Sequence, residues 1–173
     1  MISSVPNREN PIQFDYNCFQ AKGLHLVSLN VRSLLPKLSE IKHFSMNVKP
    51  AVFMLCETWL DSSIGDSEID IPGYHVIRND RNRNGGGVLI YIRSDIVFNL
   101  RTDLINESLE AVWVDILLPK TKPILVGSIY RPPNQNGFIE ELDSVLKQIE
   151  GSQETYLLGD INICTKKQTV YLL

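Results

Sequence analysis

The chain has 173 residues, with 17 Lys+Arg against 20 Asp+Glu and a net charge of −3; its mean hydropathy is −0.06. This length suits about one domain, and 43% hydrophobic with 21% charged residues excludes wholesale disorder. The slight acidity argues against a histone-like DNA binder but allows an enzyme with an acidic centre and a local basic edge. The longest apolar run, residues 51–56, is too short to cross a membrane, and the N-terminus shows no secretory signal, so we expect an intracellular protein.

The first part of the chain predicts a strand–helix–strand unit after a polar leader, residues 1–22. Residues 24–30 form a short apolar run typical of a strand. Apolar residues at helical spacing then predict a helix with Pro36 near its first turn, which Pro50 stops. The next strand is residues 51–56. The apolar positions of the helix are Leu34, Leu38, Ile41, Phe44 and Val48.

The rest of the chain is rich in predicted strands. A second helix, capped by Asn136 and apolar as far as Ile149, ends before Gly151, and a last strand covers residues 155–158. Two apolar strands joined by a helix, followed by many strands, predict a mixed α/β protein with helices outside its sheets. The remaining strands are predicted at residues 74–79, 87–93, 96–100, 109–117 and 123–130.

Polar residues end four of the predicted strands, namely Asn30, Glu57, Tyr130, and Asp160 with Asn162. Burying a carboxylate at the end of a strand costs on the order of several kcal/mol unless the group is paired or holds a metal. Strand ends often converge at one edge in α/β proteins. This set suits phosphodiester hydrolysis, with acids for a cation and for water and with amide and phenol donors for phosphate. Alternatively, Glu57 only caps a loop or pairs with an arginine.

The candidate DNA contacts are four arginines. Three of them, Arg78, Arg81 and Arg83, alternate with asparagines in a loop between strands. Arginine and asparagine side chains in such a loop can reach phosphates. The alternative is a solvated turn rich in asparagine and glycine. Arg131, directly after Tyr130, is the fourth candidate.

Six motifs occur in the order seen in the endonuclease/exonuclease/phosphatase superfamily, and they cover about residues 23–162. The chain most resembles the endonuclease domains of non-LTR retrotransposons. This resemblance implies an α/β fold, a four-layer sandwich of the DNase I-like type. The motifs are Leu29-Asn30-Val31-Arg32, Cys56-Glu57-Thr58-Trp59, Ile71-Pro72-Gly73-Tyr74, Gly85-Gly86-Gly87-Val88, Ile129-Tyr130-Arg131-Pro132-Pro133-Asn134 and Gly159-Asp160-Ile161-Asn162.

The resemblance also implies roles for the five polar residues. Glu57 matches the Mg²⁺ ligand, with Mn²⁺ as the alternative cation, and Asn30 matches the asparagine that supports the metal and phosphate. Tyr130 corresponds to the tyrosine that contacts the scissile phosphate, and Asp160 to the aspartate that orients or deprotonates water, with Asn162 fixing its geometry. The implied substrate is double-stranded DNA, nicked to leave a 3′-hydroxyl. The parent polyprotein would also carry a reverse-transcriptase domain.

The last 11 residues, ICTKKQTVYLL, depart from the family pattern. Relatives continue with further strands, a late aspartate and a Ser-Asp-His motif, and His25, His43 and His75 lie at positions that cannot replace that histidine. We therefore expect a partial domain over residues 23–162 that lacks its C-terminal strands, followed by a divergent tail over 163–173. We also expect an open apolar edge at the last strand that associates with other chains, and weak nicking of DNA. The alternatives are a non-catalytic remnant that at most binds DNA or a partner, or hydrolysis of another phosphoester.

Overall fold

The computed structural model describes residues 23–149, 151 and 153–162, and its strands form two four-stranded sheets. In the first sheet the strand order is β1-β2-β4-β3. β1 and β2 are parallel, whereas β4 is antiparallel to both of its neighbours. These strands are β1 (Leu26–Asn30), β2 (Val52–Cys56), β3 (Tyr74–Asn79) and β4 (Val88–Arg93).

The second sheet has the order β5-β6-β7-β8 and also ends in a parallel pair, β7 with β8. A parallel pair needs a crossover connection. Helix α1 (Leu38–Val48) supplies it between β1 and β2, and helix α2 (Phe138–Leu146) between β7 and β8. The strands are β5 (Val97–Leu100), β6 (Glu110–Leu117), β7 (Ile124–Tyr130) and β8 (Thr155–Asp160).

Three apolar clusters hold the layers together, and they explain why the strands are so uniformly hydrophobic. Every residue of β2 is buried because one face of its sheet meets the second sheet and the other meets α1. On the outer face of the first sheet, Phe44 of α1 packs against Phe53, with ring centroids 5.1 Å apart. On the outer face of the second sheet, Phe138 of α2 packs in the same cluster as Trp113. The order helix, sheet, sheet, helix confirms the predicted four-layer α/β sandwich.

The strand predictions agree with the structure to within a few residues, but both helices differ in detail. Before α1, Leu35–Lys37 forms a 3-10 turn that accommodates Pro36. The predicted cap of α2, Asn136, is wrong, since Gly137 occupies the N-cap position with a φ of 72° and without a side-chain cap. Helix α2 ends at Leu146, so Ile149 lies beyond it.

Strands β1 and β8 lie at the ends of their sheets and, among the described residues, each has one strand neighbour. A groove of about 530 Å³ lies between these edges. That the β8 edge associates with other chains remains a prediction. In the described residues, no helix has both the length and the hydrophobicity needed to cross a membrane. The apolar residues that line the groove are Leu24, Leu26, Ile124, Tyr156 and Leu158.

Candidate active site

The carboxyl ends of the two parallel strand pairs meet at one end of the sandwich. Asn30, the last residue of β1, donates from Nδ2 to Glu57 Oε1 at 3.0 Å and to Asp160 Oδ2 at 2.8 Å. Glu57 follows β2 of the first sheet, whereas Asp160 ends β8 of the second. One amide nitrogen thus joins two carboxylates from different sheets, which places the acids within a few ångströms of each other.

Tyr130 brings the end of β7 to the same point. It is the register partner of Asp160 and is 4% exposed. Its phenol lies near enough to the Glu57 carboxylate for that group to affect its pKa. Burial raises the pKa of the phenol, the negative charge of Glu57 adds to the rise, and the positive charge of Arg81 opposes it. The tyrosine is therefore held as a neutral hydrogen-bond donor beside the acids.

The backbone that carries Glu57 has an unusual conformation. Glu57 and Trp59 have φ values of 53° and 55°, a left-handed region that costs non-glycine residues roughly 1–2 kcal/mol each. Backbone bonds on both sides maintain it, since Ser33 N donates to Glu57 O at 2.8 Å and Trp59 N donates to Gly86 O at 3.0 Å. Such strain persists only where the surroundings enforce it, and it is concentrated at functional sites.

Asn162 and Arg131 form a second connection, between the segments that follow β8 and β7. Asn162 Nδ2 donates to Arg131 O at 2.8 Å, and Arg131 Nη1 donates to Asn162 O at 3.3 Å. The backbone N–H of Asn162 also donates to Asp160 Oδ1 at 3.1 Å, which orients that carboxylate. Arg131 further donates to Gln135 O at 3.0 Å and lies over the Phe138 ring at 5.6 Å. Its guanidinium therefore braces the loop after β7.

The three arginines predicted to lie in one loop have different surroundings, and for Arg78 that prediction is wrong, because it lies within β3. Arg78 is 13% exposed at its side chain and donates to Asp80 and Asp66, and also to the carbonyl groups of Asp61 and Ile64. A DNA contact by this residue would have to break those bonds. By contrast, Arg83 is exposed. The third, Arg81, leans back toward the site, with its guanidinium carbon 5.7 Å from the centroid of the Tyr130 ring.

Glu110 is a residue near the site that the sequence analysis missed. At the start of β6, it accepts a hydrogen bond from Arg81 Nη1 at 2.8 Å and another from Gly87 N at 2.6 Å. A signal was present, because Glu110 directly precedes the four buried residues 111–114. A charged residue at the entry to a buried strand needs a partner, and Arg81 provides it.

The donor set at the site consists mainly of oxygen atoms. In the part of the chain that the structure describes, no three acidic, histidine or cysteine side chains are close enough to hold a metal ion together. The Glu57 and Asp160 carboxylates are oxygen donors, the type that Mg²⁺ and Mn²⁺ prefer, and Mg²⁺ commonly uses only one or two carboxylates plus water and phosphate. Asn30 turns its nitrogen toward both acids, while its Oδ1 accepts from Arg32 N at 3.2 Å. Asn30 is thus arranged to support the acids.

Comparisons with known proteins agree with this architecture. The sequence model described as the Endonuclease/Exonuclease/phosphatase family matches residues 17–167. A comparison with curated proteins gave no significant match.

Several solved structures share the fold. The endonuclease domain of TRAS1, a telomere-specific non-LTR retrotransposon, has a TM-score of 0.62 and 18% identity, over 80% of this chain and 61% of that one. An AP endonuclease from Archaeoglobus fulgidus has a TM-score of 0.54 and 19% identity, over 79% and 57%. A 3′ phosphatase, NExo from Neisseria, bound to a product DNA hairpin, has a TM-score of 0.55 and 18% identity, over 82% and 58%. The chain therefore spans about three fifths of the length of these structures.

Proposed function

The chain belongs to the endonuclease/exonuclease/phosphatase family, and from this premise we propose that it hydrolyses phosphodiester bonds of double-stranded DNA, nicking one strand with the help of a divalent cation. One observation supports this proposal above the others. The amide of Asn30 joins Glu57 and Asp160 across the two sheets. Two carboxylates held this close, with a phenol beside them, suit attack on a phosphodiester better than they suit a purely structural role.

In this proposal Glu57 holds Mg²⁺, or Mn²⁺ in its place, at the end of β2. Asn30 fixes the carboxylate by its 3.0 Å hydrogen bond to Oε1, and a fixed Glu57 carboxylate would be the group that holds the cation. The bound cation supplies Lewis-acid stabilisation of the charge that develops on the phosphate. The remaining chemistry belongs to side chains of the protein.

Asp160 is the residue that we assign to the attacking water. Its Oδ1 and Oδ2 accept hydrogen bonds from Asn162 N and Asn30 Nδ2, so its orientation is fixed before substrate binds. A carboxylate positioned in this way orients water and accepts its proton as the water oxygen bonds to phosphorus. The bond from phosphorus to the 3′ oxygen breaks in the same displacement, and that oxygen leaves as a 3′-hydroxyl after it takes a proton from solvent. Tyr130 donates its phenol hydrogen to a non-bridging phosphate oxygen, as preorganised donors do at sites of developing negative charge.

The substrate assignment to DNA is supported by relatives and by charge. One neighbour is a retrotransposon endonuclease domain and another was captured with a product DNA hairpin. Exposed Arg83, in the loop between β3 and β4, is the residue that we assign to a DNA phosphate. Neutralising a phosphate in this way gives affinity that falls as salt rises.

The test is nicking of supercoiled plasmid DNA by the full chain with Mg²⁺, in parallel for wild type, Glu57→Gln and Asp160→Asn. We expect both substitutions to lower the rate by about 10²-fold or more, the loss typical of one preorganised charged group. Exposed Glu107 provides a matched control, and Glu107→Gln should nick like wild type. Chelation of the cation should abolish activity. Equal background in wild type and Glu57→Gln would instead support the non-catalytic alternative.

A further inference from the structure

Beside the site, the ion pair of Arg81 and Glu110 links the two sheets, and it involves neither Glu57 nor Asp160. Arg81 follows β3 in the first sheet, and Glu110 opens β6 in the second. Arg81 Nη1 lies 2.8 Å from Glu110 Oε1, and the two side chains are 35% and 19% exposed. Glu110 is the more shielded partner, and each side chain also makes a hydrogen bond to the backbone of the glycine triplet.

The glycine triplet wraps closely around this pair. Arg81 Nε donates to Gly85 O at 3.0 Å, and Glu110 Oε2 accepts from Gly87 N at 2.6 Å. At Gly86 a Cβ would lie 2.4 Å from Arg81 Cζ and 2.5 Å from Glu110 Oε2. Any other residue at this left-handed position, with a φ of 68°, would push the ends of both charged side chains aside. The turn and the pair therefore fix each other in place.

The pair also touches the ring of the proposed phosphate-binding tyrosine. The Arg81 guanidinium carbon lies 5.7 Å from the centroid of the Tyr130 ring, within the range of a cation–π contact. Glu110 is the register partner of Tyr130 in the neighbouring strand. The ring is thus contacted by Arg81, while the phenol lies in the electrostatic field of the Glu57 carboxylate.

We propose that Arg81 and Glu110 are positioning residues that fix the Tyr130 ring against the Glu57 carboxylate and so determine where the phenol meets a phosphodiester. The part of this inference that concerns the phosphodiester rests on the proposed function. Arg81 then acts through Tyr130, in contrast to a direct contact with DNA. Without Arg81, the ring loses the guanidinium that lies over it. Without Glu110, Arg81 loses the ion pair that holds it in that position.

The first arm of the test observes Tyr130 without any reaction. The full chain, with its six tyrosines ¹³C-labelled in the ring, is studied by NMR, and Tyr130→Phe identifies the Tyr130 signals. We expect Arg81→Met and Glu110→Gln each to shift those signals, with Arg81→Lys shifting them less. The exposed pair Arg93–Asp95, with an Nε–Oδ1 distance of 2.6 Å, is the matched control, and Arg93→Met should leave the Tyr130 signals unchanged.

The second arm measures nicking kinetics for the same variants. A misplaced reacting group costs up to about 10²-fold in rate, so we expect kcat to fall by about 10- to 100-fold in Arg81→Met and Glu110→Gln, with KM for DNA nearly constant. The conservative Arg81→Lys should recover part of kcat.

Two outcomes would overturn the proposal. Unshifted Tyr130 signals in both variants would do so whatever the kinetics. An Arg81→Met variant with unchanged kcat, weaker DNA binding and a salt dependence reduced by about one phosphate would show direct DNA contact in its place. If wild type does not nick DNA, the proposed function fails, and the NMR arm alone decides whether the pair positions Tyr130.

Discussion

Substitution of Gly159 by alanine should disrupt the join between β7 and β8 directly beside the site. Gly159 has a φ of 149°, and a Cβ built on it would lie 1.8 Å from the carbonyl oxygen of Ile129 in the neighbouring strand. Real Cβ atoms essentially never approach another atom closer than 3.0 Å. Because the obstacle is backbone rather than a flexible side chain, the strands themselves must move.

The size of the effect follows from that geometry. Bringing the contact from 1.8 Å to 3.0 Å requires a displacement of at least 1.2 Å. Overpacking of this kind and an unsuitable backbone angle together cost about 3 kcal/mol. The next residue pair in register is Tyr130 with Asp160, so the displacement reaches the site. A shift of about 1 Å at reacting groups costs up to about 10²-fold in rate.

Equilibrium unfolding in urea, followed by tryptophan fluorescence, measures the loss of stability, and plasmid nicking measures the loss of activity. Gly65→Ala is the matched control, since Gly65 has a φ of −74° and its added Cβ would meet only side-chain atoms at 3.7 Å or more. The control should stay within about 0.5 kcal/mol of wild type. If Gly159→Ala unfolds at the same urea concentration as Gly65→Ala, the close approach of the two strands is not a constraint and the reasoning is wrong.

Two further predictions concern neighbouring structure. Arg78→Met should lower the free energy of unfolding, measured in urea melts, by about 2–4 kcal/mol, because it leaves the Asp80 carboxylate, 17% exposed, without its partner. The control Arg93→Met should lower it by roughly 1 kcal/mol, and an equally small loss for Arg78→Met would contradict the prediction. Burial, with the charges of Asp160 and then Glu57, raises the pKa of the Cys56 thiol to about 12. In a Cys18→Ser, Cys164→Ser background, iodoacetamide at pH 8 should therefore label Cys56 only after unfolding, as read by mass spectrometry. Since the folded-state pKa is the higher one, the contribution of this thiol to stability is complete below about pH 9 and is lost as pH rises toward 12. Equal labelling of folded and denatured protein would refute the burial argument.

The sequence was sufficient to predict the positions of the strands and the residues at their ends. Apolar runs such as residues 51–56 can be recognised because both faces of β2 are covered, so every position of the strand is buried and hydrophobic. Helix ends were less certain. Asn136 has good capping chemistry, but Gly137 adopts the left-handed conformation that the turn requires, and this choice depends on the whole loop.

The site was only partly visible from sequence. Polar residues at strand ends stand out one by one, which made Glu57 and Asp160 visible as candidates. Their roles remain predictions. The hydrogen bond from Asn30 to Asp160 depends on how one sheet docks on the other, and no local pattern records that. The Arg81–Glu110 pair was hidden for the same reason, because its members are 29 residues apart and belong to different sheets.

The distance along the chain between the members of the site has a consequence for folding. Asn30 and Asp160 are 130 residues apart, whereas each of the two parallel strand pairs is closed by its own helix. Such strand–helix–strand units can form from nearby contacts, while contacts between distant segments must first overcome the entropy of closing a long loop. Each unit carries one of the two acids. The acidic pair therefore comes into existence only when the two halves dock, and restoration of the site during refolding reports that docking step rather than the formation of either sheet.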